Sequence, residues 1–123
     1  MARLRAKTVL RADEQPVCER CTVAETPLTR LRGLMGRSGL ASGEGVLIRP
    51  TSAIHTCFMR FPIDAVFLDR DLVVVKVVSD LRPWRVAARR GAKSVLELAA
   101  GESGRRGIVA GERLRLSDPV PAG

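Results

Sequence analysis

Ala65-Val66-Phe67-Leu68-Asp69-Arg70-Asp71-Leu72-Val73-Val74-Val75-Lys76-Val77-Val78 decides the fold class. Two apolar runs flank the polar triplet Asp69-Arg70-Asp71. Valine dominates the second run. Its branched Cβ is stiff in a helix and packs well on a pleated sheet. Aspartate hydrogen-bonds its own backbone readily and so favours a tight turn. The stretch therefore predicts two strands, Ala65–Leu68 and Leu72–Val78, joined by that turn.

Working outward, the same signals recur at short spacing. Lys7–Leu10 and Val17–Val23 read as strands around an Asp13-Glu14-Gln15-Pro16 turn. Val46–Ile48 and Ala53–Met59 precede the central pair. Arg82-Pro83-Trp84 ends it, because proline removes a ladder donor. Ser94–Leu98 and Arg113–Leu116 complete the set, and Gly101–Gly107 has room for one helical turn. A longer helix is expected near residues 27–35. There Thr26 caps, Pro27 takes the first helical position, and Leu28, Leu31 and Leu34 or Met35 share a face. Short strands with Gly/Pro turns predict a mainly β fold, a small β-sandwich or jelly-roll-like barrel with that one short helix. The chain reads as a single domain over 1–123, with a core of about residues 7–116 and a frayed tail at 118–123.

Composition narrows the function classes. The 123 residues carry 21 basic and 13 acidic side chains, a net charge of +8. Eighteen of the basic residues are Arg and three are Lys. Ala, Gly, Arg and Pro all have G/C-rich codons, so base composition accounts for much of the Arg excess. Its placement is more informative. Residues 82–96 carry five positive charges and no negative ones, whereas residues 38–81 are nearly neutral. No apolar run approaches the roughly 18 residues of a membrane-spanning helix. Only Thr8-Val9-Leu10 follows the basic N-terminus, too short for the apolar core of a signal peptide. A cytoplasmic monomer is expected.

The chemistry-bearing residues cluster in the centre. In an extended strand, His55, Cys57 and Met59 share one face, and imidazole, thiol and thioether together suit the wall of a pocket. Asp64 is either a site carboxylate or a turn acceptor. Glu97 shares a face with Val95 and Ala99. If buried there it needs a cationic partner, for which Arg32 and the arginines at 82–90 are candidates, or its pKa rises. Cys18 and Cys21 have a metal-like spacing, but three residues along a strand put the two thiols on opposite faces. No metal and no cofactor are expected. The arginine clusters lack interleaved aromatics, so specific nucleic-acid binding is not expected either.

Several motifs in series carry a family resemblance. They are Arg30-Leu31-Arg32-Gly33-Leu34-Met35-Gly36-Arg37, Gly43-Glu44-Gly45-Val46-Leu47, His55-Thr56-Cys57-Phe58-Met59-Arg60-Phe61-Pro62-Ile63-Asp64, Pro83-Trp84, Val95-Leu96-Glu97-Leu98-Ala99-Ala100-Gly101 and Gly111-Glu112-Arg113-Leu114. The chain resembles the uncharacterised family called domain of unknown function 192 from about Thr22 to Leu116. The resemblance implies a compact, mainly β domain with one short helix carrying the Arg-Gly-Leu-Met stretch, and no established activity. Cys57 stands where the family pattern leads one to expect an aromatic residue. Mapped through the motifs, the candidate cleft residues are Arg32, His55, Met59, Asp64 and Glu97. The expected function is a small-ligand or partner-binding β-domain with a cleft around His55, Met59 and Asp64. One alternative is an enzyme using His55 with Asp64 as acid and base. Another is an interaction protein using the basic surface at Arg82–Lys93.

Overall fold

A computed structural model describes residues 5–26 and 38–119. Among the described residues, nine strands follow in chain order: β1 (Arg5–Arg11), β2 (Pro16–Ala24), β3 (Glu44–Ile48), β4 (Ala53–His55), β5 (Ile63–Leu68), β6 (Val74–Leu81), β7 (Val86–Ala88), β8 (Ser94–Ala99) and β9 (Leu114–Ser117). One helical turn, α1 (Glu102–Arg105), follows β8 where the glycine-flanked segment predicts it. The helix expected near residues 27–35 lies outside the described residues, as does Arg32.

Seven strands form one mixed sheet in the order β6-β5-β8-β3-β2-β1-β9, and β4 and β7 form a separate two-stranded ribbon. The β2–β3 pair is parallel and the other ladders are antiparallel. This corrects the barrel expectation. The sheet curls until its outermost strands approach, but they meet through an isolated Val73–Arg113 bridge rather than a continuous ladder. A sequence of short strands cannot distinguish closure from near-closure, because closure depends on accumulated twist and stagger.

Curling gives the sheet two buried faces. The inner face packs Val9, Val17, Leu47, Val66, Leu96 and Leu114. The outer face packs Val46, Ile48, Ile63, Phe67 and Val95 under Ile54 and Ala87 of the ribbon. Strand β5 is buried at every position, as is β8 as far as Leu98. A strand covered on both sides reads as a continuous apolar run rather than an alternating one. That explains the uninterrupted Ala65–Leu68 segment. The Asp69 turn is as read: its Oδ1 accepts from the N–H groups of Asp71 at 2.8 Å and Val73 at 3.0 Å. Gly45 is required where β3 meets β8. A Cβ there would sit 2.9 Å from Cys18 Sγ, Glu97 O and Leu98 Cδ2.

Candidate functional site

The segment after Ala53 does not continue as a strand to Met59. Strand β4 ends at His55, and residues 57–58 form a turn in which Phe58 has φ +66°. The strict alternation that placed His55, Cys57 and Met59 on one face is therefore broken. His55 is exposed, with its Nδ1 accepting the Cys57 N–H at 3.2 Å, whereas Met59 is buried in the outer core. The turn was hidden because it rests on contacts with residues some thirty positions away.

Those contacts converge on Thr56, which is fully buried. Its N–H donates to Arg85 O at 2.8 Å, and its carbonyl accepts from Trp84 N–H at 3.1 Å and Met59 N–H at 3.2 Å. Its hydroxyl donates to Arg82 O at 2.6 Å and accepts from Arg85 N–H at 2.8 Å. One side chain thus ties the 56–59 turn to the 82–85 loop. The tied loops present Phe58 and Trp84 side by side, ring centroids 4.8 Å apart and planes at 59°.

Both rings are carried on unusual backbone. Trp84 has φ +63°, close to that of Phe58. A bulky residue in the left-handed region costs about 1–3 kcal/mol and persists only where surrounding structure imposes it. Here the imposed conformation turns apolar surface outward: Phe58 is 62% exposed and Trp84 58%. Val86, opposite His55 in the β4–β7 pair, is 73% exposed. Arg60, Arg82 and Arg85, each within two residues of one of these rings in the sequence, are also exposed. Neither Ala53–Ile63 nor Arg82–Leu96 contains an acidic residue.

Asp64 and Glu97 do not join this surface. Asp64 is fully buried between Ile63 and Ala65 and points to the opposite face of β5 from both. Its Oδ1 accepts from Asp80 N–H at 2.9 Å, and its Oδ2 from Gly101 N–H at 3.1 Å, Ser103 N–H at 2.9 Å and Ser103 Oγ at 2.6 Å. Asp80 lies in an irregularity of β6 with φ +54°, so Asp64 ties that bulge to the start of α1. His55 is not among its partners.

Glu97 stands opposite Val46 on β3 and Ala65 on β5, both in the outer core. It is 2% exposed, and its Oε1 has no hydrogen-bond partner among the described residues. Burial pushes its carboxyl up to about 8. Neighbouring Glu102 shows the contrast. Equally buried, it accepts from Ser42 Oγ at 2.9 Å and Arg106 Nε at 2.8 Å and pairs with Arg105. Burial works against its charge, but these partners outweigh it and hold the carboxyl below the usual range.

The cysteines need one correction. Cys18 and Cys21 both point into the inner core, because an irregularity in the β1–β2 register inserts an extra β2 residue between them. A bulge cancels the simple alternation. The adjacent Cys18 thiol and burial both raise the Cys21 thiol. Among the described residues, no cluster of three or more His, Cys, Asp or Glu side chains could hold a metal ion.

Comparison with known proteins matches this architecture. The family model for DUF192, described as an uncharacterised ACR, covers residues 8–116. A solved structure from Sinorhizobium meliloti 1021, described as a "putative transcription regulator", aligns with a TM-score of 0.83 at 23% identity, over 94% of this chain and 97% of that one. A protein of unknown function from Novosphingobium aromaticivorans DSM 12444 aligns with a TM-score of 0.78 at 23% identity, over 91% of this chain and 84% of that one. At such identity the likeness establishes the fold. No curated protein matches the chain.

Proposed function

Because the chain belongs to the DUF192 family, which carries no assigned reaction, we propose a role from surface chemistry: a partner-binding β-domain whose contact surface is the Phe58–Trp84 pair with its surrounding arginines. The observation that carries this is the aromatic pair itself. Two large rings are held more than half exposed by strained backbone and by a buried threonine that anchors both loops. Apolar groups held outward at a conformational cost are a feature of recognition surfaces. The ribbon of β4 and β7 over the outer face of the sheet supports a sandwich-like platform for this surface. An acid–base pair of His55 with Asp64 is disfavoured in this reading, since the oxygens of Asp64 are committed to four structural donors.

Site-specific photocrosslinking in the native host tests the role. A benzophenone side chain at Val86 is expected to give an adduct, protein or lipid, that disappears when Trp84 is changed to Ser. The same group at Val109, another exposed residue outside the patch, serves as comparison. Identical adducts from both positions, or none from Val86, would overturn the proposal.

A further inference from the structure

Resting on that patch-binding role, we infer that the partner is an anionic lipid surface, into which Phe58, Trp84 and Val86 insert while Arg60, Arg82 and Arg85 engage the headgroups. Three observations lead there. First, the apolar groups protrude: each of the three is at least 58% exposed. A protruding tip needs no matching groove when the partner is a fluid interface, and tryptophan is favoured at headgroup depth because its ring is amphipathic. Second, the charge is one-sided. The two loops contribute arginines at 60, 82 and 85, and the chain leaving β7 adds Arg89 and Arg90, with no acidic residue in either 53–63 or 82–96. Arg82 comes only within 3.9 Å of Asp80, and both side chains are more than half exposed. Arginine also keeps its charge at any physiological pH. Apolar insertion together with a basic rim supplies the two signals that stable attachment to a membrane surface requires.

Third, the geometry disfavours a nucleic-acid strand. Stacking platforms offer open ring faces to successive bases. Here the rings are tilted at 59° and packed on each other, and Val86 offers nothing to a phosphate. Among the described residues no helix is long and apolar enough to cross a membrane; the inferred contact is made by the loop tips.

Trp84 makes the test direct, because it is the single tryptophan of the chain. The full chain is mixed with vesicles of phosphatidylglycerol and phosphatidylcholine, and with vesicles of phosphatidylcholine alone. Partition is read by flotation and by the wavelength of Trp84 emission. The expected result is flotation and a blue shift with the anionic vesicles only, weakened by salt. Arg82→Glu with Arg85→Glu should reduce partition about tenfold or more. Phe58→Ser with Trp84→Ser should do the same by flotation, and Val109→Ser should leave it unchanged. Far-ultraviolet circular dichroism establishes that each variant is folded.

No partition, partition onto neutral vesicles alike, or equal loss in Val109→Ser would overturn the lipid inference. Binding to a single-stranded oligonucleotide or an acidic polypeptide without vesicle binding would overturn it too, in favour of that partner. A Val86-specific protein adduct with no vesicle binding would overturn only the lipid partner, whereas absence of any Val86-specific adduct removes the patch role itself.

Discussion

Glu97 lies directly opposite Ala65 across the β5–β8 ladder, and its Oε1 faces the outer core with no hydrogen-bond partner among the described residues. A carboxyl in such a place is tolerable only when protonated.

Stability should therefore fall as the medium becomes alkaline. Glu97 has its carboxyl pushed from the ordinary value of 4.5 up to about 8 by burial. Between these values the folded state holds a proton that the unfolded chain has released. Stability is fully present below about pH 4.5 and is lost progressively as pH rises through 8, with an upper bound of about 5 kcal/mol. Urea unfolding at pH 5 and pH 8 measures this. Glu97→Met keeps similar volume and should flatten the profile and stabilise the protein at pH 8. A wild-type profile as flat as the variant's would contradict the assignment.

Asp64→Ala should be among the most damaging single changes. It leaves the N–H groups of Asp80, Gly101 and Ser103 without their acceptor. The buried Ser103 N–H costs about 1–3 kcal/mol when orphaned, and the two part-buried donors add less. Hydrogen exchange should report the loss first at the β6 bulge and at α1. Unchanged exchange in both segments would sink this account.

Thr56→Val removes the hydroxyl while keeping the shape. It deletes the bond to Arg82 O and strands the Arg85 N–H, at a cost of about 1–3 kcal/mol. The two loops should loosen together. A fall in Trp84 fluorescence anisotropy in the folded protein is the expected signature, and anisotropy equal to wild type would show that the loops hold without Thr56.

Gly45→Ala tests the close approach of β3 and β8. Its new methyl meets Cys18 Sγ, the Glu97 carbonyl and Leu98 Cδ2 together, and two of the three neighbours are side chains in a filled core. Overpacking of this kind costs about 1–3 kcal/mol. Thermal unfolding should show a lower Tm, and an unchanged Tm would mean that the strands separate without penalty.

Local patterning in the chain accounts for much of the strand layout. Valine-rich and alternating runs gave β5, β6 and β8 nearly at their observed bounds, and the Asp69 turn and the glycine-flanked helical turn at α1 formed where expected. The absence of acids around Arg82–Lys93 was also plain on the page, since charge sums require no contacts. Pairing between distant segments settles the rest. Cys18 and Cys21 share a face because a bulge breaks the two-residue period. Met59 is buried while His55 is exposed because Thr56 binds a loop some thirty residues away. Asp64 is structural because its donors arrive from β6 and from the start of α1. Among the described residues Glu97 Oε1 meets no partner, because the strands beside it place Val46 and Ala65 opposite. Hydrophobic periodicity fixes which residues want to be buried, but the register of non-local ladders decides what each buried or exposed group meets.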